Sequence, residues 1–285
     1  MSGRSVLVTG TSGRLGSAVA QRLAEECAVV GFDLNVPSDE VAKCLSRSEV
    51  GSITDPEAVA RAIDGVEVVV HCAAIPGNCR PAHKLVEVNV LGTFVLLEAA
   101  GNREHVRQFI YISSVCWFGI TEQAADRYMP SYLPLDERHP SVAVAPYGAS
   151  KVQAESWCRW YAEFYGKPVV SIRPSLIVPP HRESKFVARA APNQRVLNDY
   201  VGQNDLIDGI VRAMAYEPRD GFDCFLMNAE DQWTTTPTLE LAERFYPGVP
   251  VDREKLSRCD GFGALICCDH AREVLGWSPK YRCAR

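Results

Sequence analysis

Short apolar runs alternate with helical patterns through the first 178 or so residues of the chain. Five runs rich in β-branched residues have the length of strands: Ser5 to Val8, Ala28 to Phe32, Val66 to Val70, Gln108 to Ser113 and Val169 to Val178. Between the first two runs, Leu15, Ala18, Val19 and Leu23 recur at helical spacing. Continuous apolar strands separated by helices are typical of a parallel sheet covered on both faces. The pattern therefore predicts an α/β fold that begins with a β-α-β unit.

Two segments depart from this rhythm. The stretch 117–146 has no clear period and contains four prolines, so we expect a long surface excursion there. After Pro179 and Pro180 the alternation fades, which favours a small mixed lobe at the carboxyl end. We therefore expect a sheet domain over residues 1–178 and a smaller substrate-binding lobe over residues 179–285, interleaved with it rather than independent.

Composition and charge narrow the range of partners. The chain has 285 residues, of which 47% are hydrophobic, enough for a sizeable core. Lys and Arg number 30 against 35 Asp and Glu, and a net charge of -5 offers no general attraction for nucleic acid or anionic lipid. No apolar run approaches the roughly 20 residues of a membrane span, and we expect no signal peptide. These features favour a cytoplasmic protein that acts on a small molecule.

The cysteines point in the same direction. They number eleven, an odd count, and no C-x-x-C pair occurs, so the sequence predicts neither a disulfide framework nor a zinc ribbon. The densest cluster is Cys267, Cys268 and His270, in which adjacent cysteines cannot easily both face one metal ion. We expect no metal site and a reducing environment.

A glycine-rich loop joins the first strand to the first helix. Gly10, Gly13 and Gly16 form a G-x-x-G-x-x-G pattern, in which backbone N–H groups can close on a pyrophosphate at the helix N-terminus. Asp33 ends the second strand, seventeen residues beyond Gly16, where a carboxylate accepts ribose hydroxyls and repels a 2'-phosphate. Arg14 is the competing signal, because it could reach such a phosphate. The carboxylate favours NAD over NADP, and the sheet is predicted to be a Rossmann-type doubly wound parallel sheet.

Six motifs in order resemble those of the extended short-chain dehydrogenase/reductases, the NAD-dependent epimerase/dehydratase family. Besides the glycine loop, they are Gly51 to Asp55, His71 to Ala74, Asn89 to Thr93, Ser113-Ser114 with Gly119, Tyr147 to Lys151 and Leu275 to Pro279. The resemblance covers nearly the whole chain. It implies that NAD contacts Gly10, Ser12, Gly13, Arg14, Leu15, Gly16, Asp33, Ser52, Ile53, Cys72, Ala73, Ala74, Asn89, Tyr147 and Lys151.

The departures from the family pattern limit the activity. Ser52 stands where the family usually has an Asp, which changes the expected adenine contact. Val115 and Cys116 follow the catalytic serine position, where the 4,6-dehydratases have an acid pair and the uronate dehydrogenases have Asn-His. Ser175 stands close to the position of an asparagine found in nucleotide-sugar epimerases, and the carboxyl lobe is short.

Tyr147 and Lys151 are the candidates for proton chemistry. Four positions apart, they project from one face of a helix, and an ammonium together with an oxidised nicotinamide favours the phenolate form of a tyrosine. Ser114 would hydrogen-bond the substrate oxygen. Its neighbour Ser113 points to the other side of the strand, and the five-residue spacing to Gly119 matches the family for Ser114. We assign His71 no catalytic role.

Three functions fit these residues. The leading hypothesis is an NAD(H)-dependent oxidoreductase that acts on a secondary alcohol or ketone of a sugar-like or other small metabolite. An epimerase that retains NAD uses the same residues, and a dinucleotide-sensing protein without activity would commonly lack the Tyr/Lys pair.

Substrate contacts and assembly rest on other residues. Candidate substrate contacts are Trp117, Phe118, Tyr128, Tyr132, Arg182 and Arg189, although loop aromatics more often anchor a loop. The aromatic stripe Trp157, Trp160 and Phe164, together with the helix from about Pro81 to Ala100, predicts a homodimer.

Overall fold

The chain folds into two compact units that alternate along the sequence. The structure, a computed structural model, describes residues 3–120, 128–189, 197 and 199–285. The first unit comprises Met1–Ser113, Ser150–Ser171 and Ala213–Asp223; the second comprises Ser114–Ala149, Ile172–Arg212 and Cys224–Arg285. The assignment of the cofactor to residues 1–178 and of the substrate to residues 179–285 remains a prediction.

The strands form the predicted α/β sheet. They are β1 Ser5–Thr9, β2 Ala28–Asp33, β3 Arg47–Val50, β4 Val68–His71, β5 Gln108–Ile112, β6 Val169–Pro174, β7 Leu176–Val178, β8 Tyr200–Gly202 and β9 Phe222–Met227. The large sheet has the order β3-β2-β1-β4-β5-β6-β9, and β1 to β5 pair in parallel. The order reverses between β1 and β4, the point at which Rossmann-type folds bind dinucleotides.

Four strands differ from the sequence-based prediction: β3, β7, β8 and β9, of which β8 and β9 lie after Pro180, where only a mixed lobe was expected, and β9 joins the large sheet. The run from Val169 to Val178 is divided into β6 and β7, because Pro174 ends the first and β7 pairs with β8 in a separate two-stranded sheet. The strand β3 was missed. Its sequence Arg-Ser-Glu-Val is polar and its residues are alternately half-buried and exposed at the edge of the sheet, so it lacks the apolar run of a central strand.

The helices follow the strands in the order expected of β-α-β units. They are α1 Arg14–Leu23, α2 Asp39–Ala42, α3 Pro56–Ala62, α4 His83–Leu85, α5 Thr93–Gly101, α6 Pro146–Tyr165, α7 Pro180–Glu183, α8 Gln203–Ala213, α9 Thr238–Phe245, α10 Arg253–Leu256, α11 Arg258–Gly261 and α12 Asp269–Leu275. A π-helix, Val86–Gly92, joins α4 to α5. Together these three cover the helix predicted from about Pro81 to Ala100. Within the described ranges, no helix is long and apolar enough to cross a membrane.

Each unit has its own apolar core. In the first, Phe109 of β5 and Tyr161 of α6 pack at 5.9 Å between ring centroids, and both are fully buried. In the second, Phe118, Leu226 and Leu265 belong to one buried cluster. Truncating a side chain such as Phe118 to alanine lowers the free energy of unfolding by about 3–5 kcal/mol in cores of this kind. The packing fixes the backbone from which the functional side chains project.

Candidate active site

The glycine loop is built so tightly that side chains are excluded from it. Gly10 has φ 78°, a left-handed conformation, and a Cβ there would lie 3.0 Å from the Cα of Ala73. A Cβ on Gly16 would lie 2.1 Å from the carbonyl oxygen of Gly10. The first contact lets β1 approach the loop after β4, and the second lets α1 start directly against the loop.

The start of α1 is open to an anion. Gly13 is the N-cap, it provides no side-chain cap, and the first turn of the helix contains no acidic residue. Ser12, Gly13 and Arg14 are exposed. Backbone N–H groups at such an uncapped helix start suit a pyrophosphate. Together with the missing Cβ atoms, this matches the requirements of a dinucleotide cofactor.

Asp33 ties the end of β2 to the glycine loop. Its carboxylate accepts the backbone N–H of Ser12 at 2.9 Å and that of Asn35 at 2.9 Å. The hydroxyl of Ser12 also donates to the carbonyl oxygen of Asn35 at 2.9 Å. Each carboxylate oxygen has a second lone pair, so the residue can hold the loop and still accept ribose hydroxyls.

A buried hydrogen-bonded chain runs behind this loop, in the first unit. The hydroxyl of Thr9 lies 2.8 Å from Nδ1 of His71, and Nε2 of His71 lies 3.0 Å from the hydroxyl of Thr93. Thr93 donates to the carbonyl oxygen of Asn89 at 2.7 Å. Burial, and to a lesser extent the charge of Lys151, lowers the pKa of His71 to about 3. His71 is therefore a neutral structural residue with both ring nitrogens bonded, as the sequence led us to expect.

Asn89 fastens the segment that follows β4. Its Oδ1 accepts the N–H of Ile75 at 2.8 Å, and its Nδ2 donates to the carbonyl oxygen of Ile75 at 3.1 Å and to Oγ of Ser150 at 3.1 Å. The N–H of Ala73 donates to Thr9 at 3.0 Å. The segment predicted to contact the cofactor is thus held at both of its ends.

Lys151 is buried at the end of β5. It is 2% exposed, and its Nζ donates to the carbonyl oxygen of Ile112 at 2.8 Å. The same ammonium lies 4.9 Å from the ring centroid of Tyr111. A cation buried in this way needs such partners, and the carbonyl and ring fix its position.

Ser114 and Tyr147 meet in the second unit. Oγ of Ser114 accepts the N–H of Cys116 at 3.1 Å, and its hydroxyl is hydrogen-bonded to Tyr147. Ser113 differs, because its buried Oγ has no hydrogen-bond partner among the described residues. The donor from Cys116 occupies a lone pair of Ser114 and leaves its proton for the phenol oxygen. The geometry thus favours Ser114 over Ser113 for chemistry.

The pKa of Tyr147 is raised to about 12. Burial is the largest cause, the nearby thiol of Cys116 adds to it, and the hydrogen bond from Ser114 opposes it. The sequence suggested that positive charges would favour the phenolate. In the protein by itself burial sets the pKa of Tyr147, and Lys151 is not among the causes of the shift, so that expectation depends on the charge of an oxidised nicotinamide.

Gly148 and Gly119 permit this arrangement. A Cβ on Gly148 would lie 2.4 Å from the carbonyl oxygen of Cys116. The turn Val115–Phe118 is capped by Ser114 at its start and by Gly119, with φ 78°, at its end. The turn can therefore pack directly against the start of α6, which carries Tyr147 and, four positions later, Lys151.

The other predicted contact residues are distributed more widely. Leu15, Ser52, Cys72, Ala73 and Ala74 are half-buried, whereas the side chain of Ile53 is 7% exposed and belongs to the core. Desolvation raises the pKa of the Cys72 thiol to about 12, so it remains protonated. The contacts that these residues are expected to make with the cofactor remain predictions.

The candidate substrate contacts have structural partners. The guanidinium of Arg173 lies 3.6 Å from the ring centroid of Trp117, and Phe118 is fully buried. Tyr132 donates to Asp136 at 2.6 Å, and Arg189 stacks 3.8 Å from the ring of Trp233. Arg182 is exposed, and Tyr128 is half-buried. Residues 121–127 of the same excursion lie outside the described residues.

One polar cluster was missed in the sequence. The hydroxyl of Ser175, directly after β6, lies 2.5 Å from Oδ1 of Asn228, directly after β9. Ser175 also hydrogen-bonds Asp199, whose pKa is raised by burial. The three residues are far apart in the sequence and share no motif. Their proximity follows from the strand order, which the sequence did not predict for β9.

The comparisons with known proteins agree with this geometry. The model of the NAD dependent epimerase/dehydratase family matches residues 6–216. The chain belongs to this family of extended short-chain enzymes, and its cofactor is NAD.

Individual relatives are distant. A UDP-glucose 4-epimerase of Streptococcus mutans is 24% identical, over 97% of this chain and 92% of its own. An NAD-dependent glucose-6-phosphate dehydrogenase of Haloferax volcanii is 30% identical, over 59% of this chain and 66% of its own. A short-chain dehydrogenase/reductase superfamily protein of Agrobacterium tumefaciens, solved with bound NAD, has a TM-score of 0.74 at 23% identity and covers 98% of this chain and 93% of its own. That likeness shows the fold.

Proposed function

We propose that the chain is an NAD(H)-dependent dehydrogenase or ketoreductase that exchanges its cofactor in each turnover. Its substrate is a secondary alcohol or ketone of a sugar-like or other small metabolite. The observation that supports this proposal most is the hydrogen bond between Ser114 and Tyr147. Tyr147 lies on α6, the helix that also carries Lys151. A purely dinucleotide-sensing protein has no need of this arrangement.

The residues have separate tasks in the proposed mechanism. Bound NAD supplies the acceptor for a hydride, and NADH supplies the donor. Tyr147 holds or gives the proton of the substrate oxygen, and Ser114 donates a hydrogen bond to that oxygen as negative charge grows on it. Lys151, one helical turn along α6, would act together with the positive charge of an oxidised nicotinamide to favour the phenolate once the cofactor is bound.

The protonation state of Tyr147 links the rate of each direction of the reaction to pH. With a pKa of about 12, the phenol is protonated at neutral pH and is ready to give its proton to a carbonyl oxygen. Oxidation of an alcohol needs the phenolate, whose fraction grows as pH rises. We therefore expect the rate of oxidation to rise with pH and the rate of reduction to fall as the phenol ionises.

An epimerase that retains NAD is the second candidate. The observation in its favour is the likeness to UDP-glucose 4-epimerases over nearly the full length of both chains. Against it, Ser175 stands close to the position where nucleotide-sugar epimerases usually have an asparagine. The two candidates share Ser114, Tyr147 and Lys151, so these residues do not separate them.

One experiment separates the two. The purified protein is unfolded and any released cofactor is quantified, and the native protein is assayed with added NAD and NADH against panels of sugars, sugar phosphates and nucleotide sugars. The proposal predicts little retained cofactor and a stoichiometric change in NADH absorbance with substrate. Tightly retained NAD, with isomerised sugar and no net NADH, would establish the epimerase instead.

A further inference from the structure

Arg173 is a buried cation to which the proposed mechanism gives no task. It is the last residue but one of β6 and is 0% exposed. Burial of a charge costs free energy unless the surroundings compensate for it. The guanidinium carbon lies 3.6 Å from the ring centroid of Trp117 and 5.5 Å from that of Phe118. Both rings belong to the turn Val115–Phe118, so these contacts of Arg173 meet the segment that directly follows Ser114.

The same turn sets the direction of the Ser114 hydroxyl. The N–H of Cys116 donates to Oγ of Ser114 at 3.1 Å. The N–H of Trp117 donates to the carbonyl oxygen of Ser114 at 3.0 Å. The serine is therefore hydrogen-bonded to the turn through both its side chain and its main chain. A displacement of the Trp117 backbone would change the position of Oγ relative to Tyr147.

The turn needs support from other segments. A single 3₁₀-helical turn has poor hydrogen-bond geometry and fixes several dihedral angles for few bonds, so it has little stability by itself. The hydroxyl of Ser141 donates to the carbonyl oxygen of Trp117 at 2.5 Å. The N–H of Val142 donates to the carbonyl oxygen of Phe118 at 3.0 Å. These bonds hold the backbone of the turn, whereas Arg173 holds the indole of Trp117.

The chemistry of arginine suits this contact. A guanidinium is planar and weakly hydrated, so it stacks on an aromatic face, and the attraction is stronger where water is excluded. Because Arg173 is 0% exposed, it cannot reach a ligand that enters from solvent. Its charge is also not among the causes of the pKa shift of Tyr147. Any effect of Arg173 on the chemistry is therefore exerted through the residues that it contacts.

We propose that Arg173 and Trp117 are positioning residues for Ser114. The stacked guanidinium fixes the indole, the indole fixes the turn, and the turn directs the serine hydroxyl toward Tyr147. This inference rests on the proposed function, in which Ser114 donates a hydrogen bond to the substrate oxygen. It gives Trp117 a role inside the protein, in place of the substrate contact considered from the sequence.

The first test measures hydrogen exchange by mass spectrometry and needs no substrate. Arg173→Met keeps a long side chain and removes the planar cation. We expect the amides of residues 115–119 to exchange about tenfold faster, because the N–H of Cys116 loses its acceptor whenever the turn opens. Trp117→Leu should have the same effect. Trp117→Phe keeps a ring for the guanidinium and should have a smaller effect.

Two references separate a local effect from a loss of overall stability. Exchange in α10, a short helix of the same unit that Asp252 caps, should stay as in the wild type. Arg159→Met is the matched control, because it removes an exposed arginine 3.9 Å from the ring centroid of Phe222. It should leave residues 115–119 unchanged. The inference is overturned if Arg173→Met does not accelerate exchange in the turn, or if it accelerates exchange equally in α10. The second result would make Arg173 a support of the whole unit.

The second test uses turnover and a double variant. Arg173→Met should lower kcat by about tenfold with a smaller change in KM, because a misplaced donor matters most as charge grows on the substrate oxygen. Combined with Ser114→Ala, it should lower kcat no further, since the hydroxyl that Arg173 positions is already absent. Losses that multiply independently would overturn the inference.

The two tests distinguish failure of this inference from failure of the proposed function. If Ser114→Ala keeps the turnover of the wild type, the proposed function loses its serine, and the exchange experiment still decides whether Arg173 fixes the turn. If Ser114→Ala lowers turnover while Arg173→Met changes neither exchange nor kcat, the inference alone fails.

Discussion

His71 in the first unit and Tyr147 in the second are both kept neutral by burial, but their surroundings differ. Burial lowers the pKa of His71 to about 3 and raises that of Tyr147 to about 12. His71 lies between two threonine hydroxyls that occupy both of its ring nitrogens. Tyr147 is bonded to Ser114, a hydroxyl that can redirect its proton by rotation.

The difference shows that a shifted pKa by itself does not identify a catalytic group. The hydrogen bonds of His71 hold β1, β4 and the helix beginning at Thr93 together. Protonation of His71 would break one of these hydrogen bonds and weaken the fold. The hydrogen bond of Tyr147 is made to a residue at the end of a strand of a parallel sheet, where substrates bind in such folds. Five changes would break or sharpen this comparison.

Tyr147→Phe should have the largest effect. It removes the phenolic oxygen and preserves the ring, so we expect turnover to fall by about two or more powers of ten while NAD affinity is retained. Steady-state rates and a cofactor titration measure both. Tyr216→Phe, which removes a hydroxyl bonded to Asp223, is the matched control. Near-normal turnover in Tyr147→Phe would contradict the proposed proton transfer.

Ser114→Ala against Ser113→Ala should give the next largest difference. The first change removes a donor to the substrate oxygen, and we expect turnover to fall by roughly tenfold to a hundredfold with a smaller change in KM. The second removes a hydroxyl that has no partner among the described residues, so turnover should stay near that of the wild type. Equal losses in the two variants would refute the assignment.

Asp33→Asn tests the cofactor preference. Loss of the negative charge should weaken NAD binding by about tenfold and reduce the discrimination against NADP, because the 2'-phosphate is no longer repelled. The amide oxygen can still accept one of the two backbone N–H groups, so the loop should stay in place. Affinities for NAD and NADP in both proteins provide the measurement. A wild-type preference for NADP would show that Asp33 was misassigned.

His71 predicts an acid-dependent loss of stability. Its pKa is near 6.5 in an unfolded chain and about 3 in the fold, so below pH 6.5 the unfolded state binds the extra proton. This contribution is complete above about pH 6.5 and is lost as pH falls toward 3, by roughly 1.4 kcal/mol per pH unit. Denaturant unfolding at several pH values measures the slope. In His71→Gln the slope should be smaller, and an unchanged slope would count against the buried neutral histidine.

Phe164→Glu should alter assembly with the smallest effect on chemistry. Phe94 contacts Trp157 and Trp160 at 4.7 and 5.6 Å between centroids, yet Trp157 is 38% and Phe164 67% exposed. An aromatic surface of this kind marks an interface. We predict a homodimer that Phe164→Glu converts to a monomer, measured by light scattering. Val274→Glu, in the second unit, should leave the dimer intact, and a monomeric wild type would refute the prediction.

The sequence was most informative where a motif is local. The glycine loop and the Tyr147 to Lys151 spacing each lie within a few residues, so turn chemistry and helical periodicity locate them, and the resemblance to the family located Asn89. The sequence failed where function depends on distant residues or on an edge strand. The approach of Ser175 to Asn228 depends on the strand order. The strand β3 lacks an apolar run because it lies at the edge of the sheet, where alternate residues are exposed. The raised pKa of Tyr147 also required burial, which spacing does not report.

The π-helix Val86–Gly92 limits the deletions that this part of the chain can tolerate. A π-helical turn holds about one residue more than an α-helical turn, and each residue turns an α-helix by about 100°. Asn89 lies inside the segment and Phe94 beyond it. Deletion of a single residue here would restore a regular helix, but it would rotate Asn89 relative to Phe94. The hydrogen bonds of Asn89 to Ile75 and the contacts of Phe94 with Trp157 and Trp160 could then not both be kept, so such a deletion would require compensating changes elsewhere.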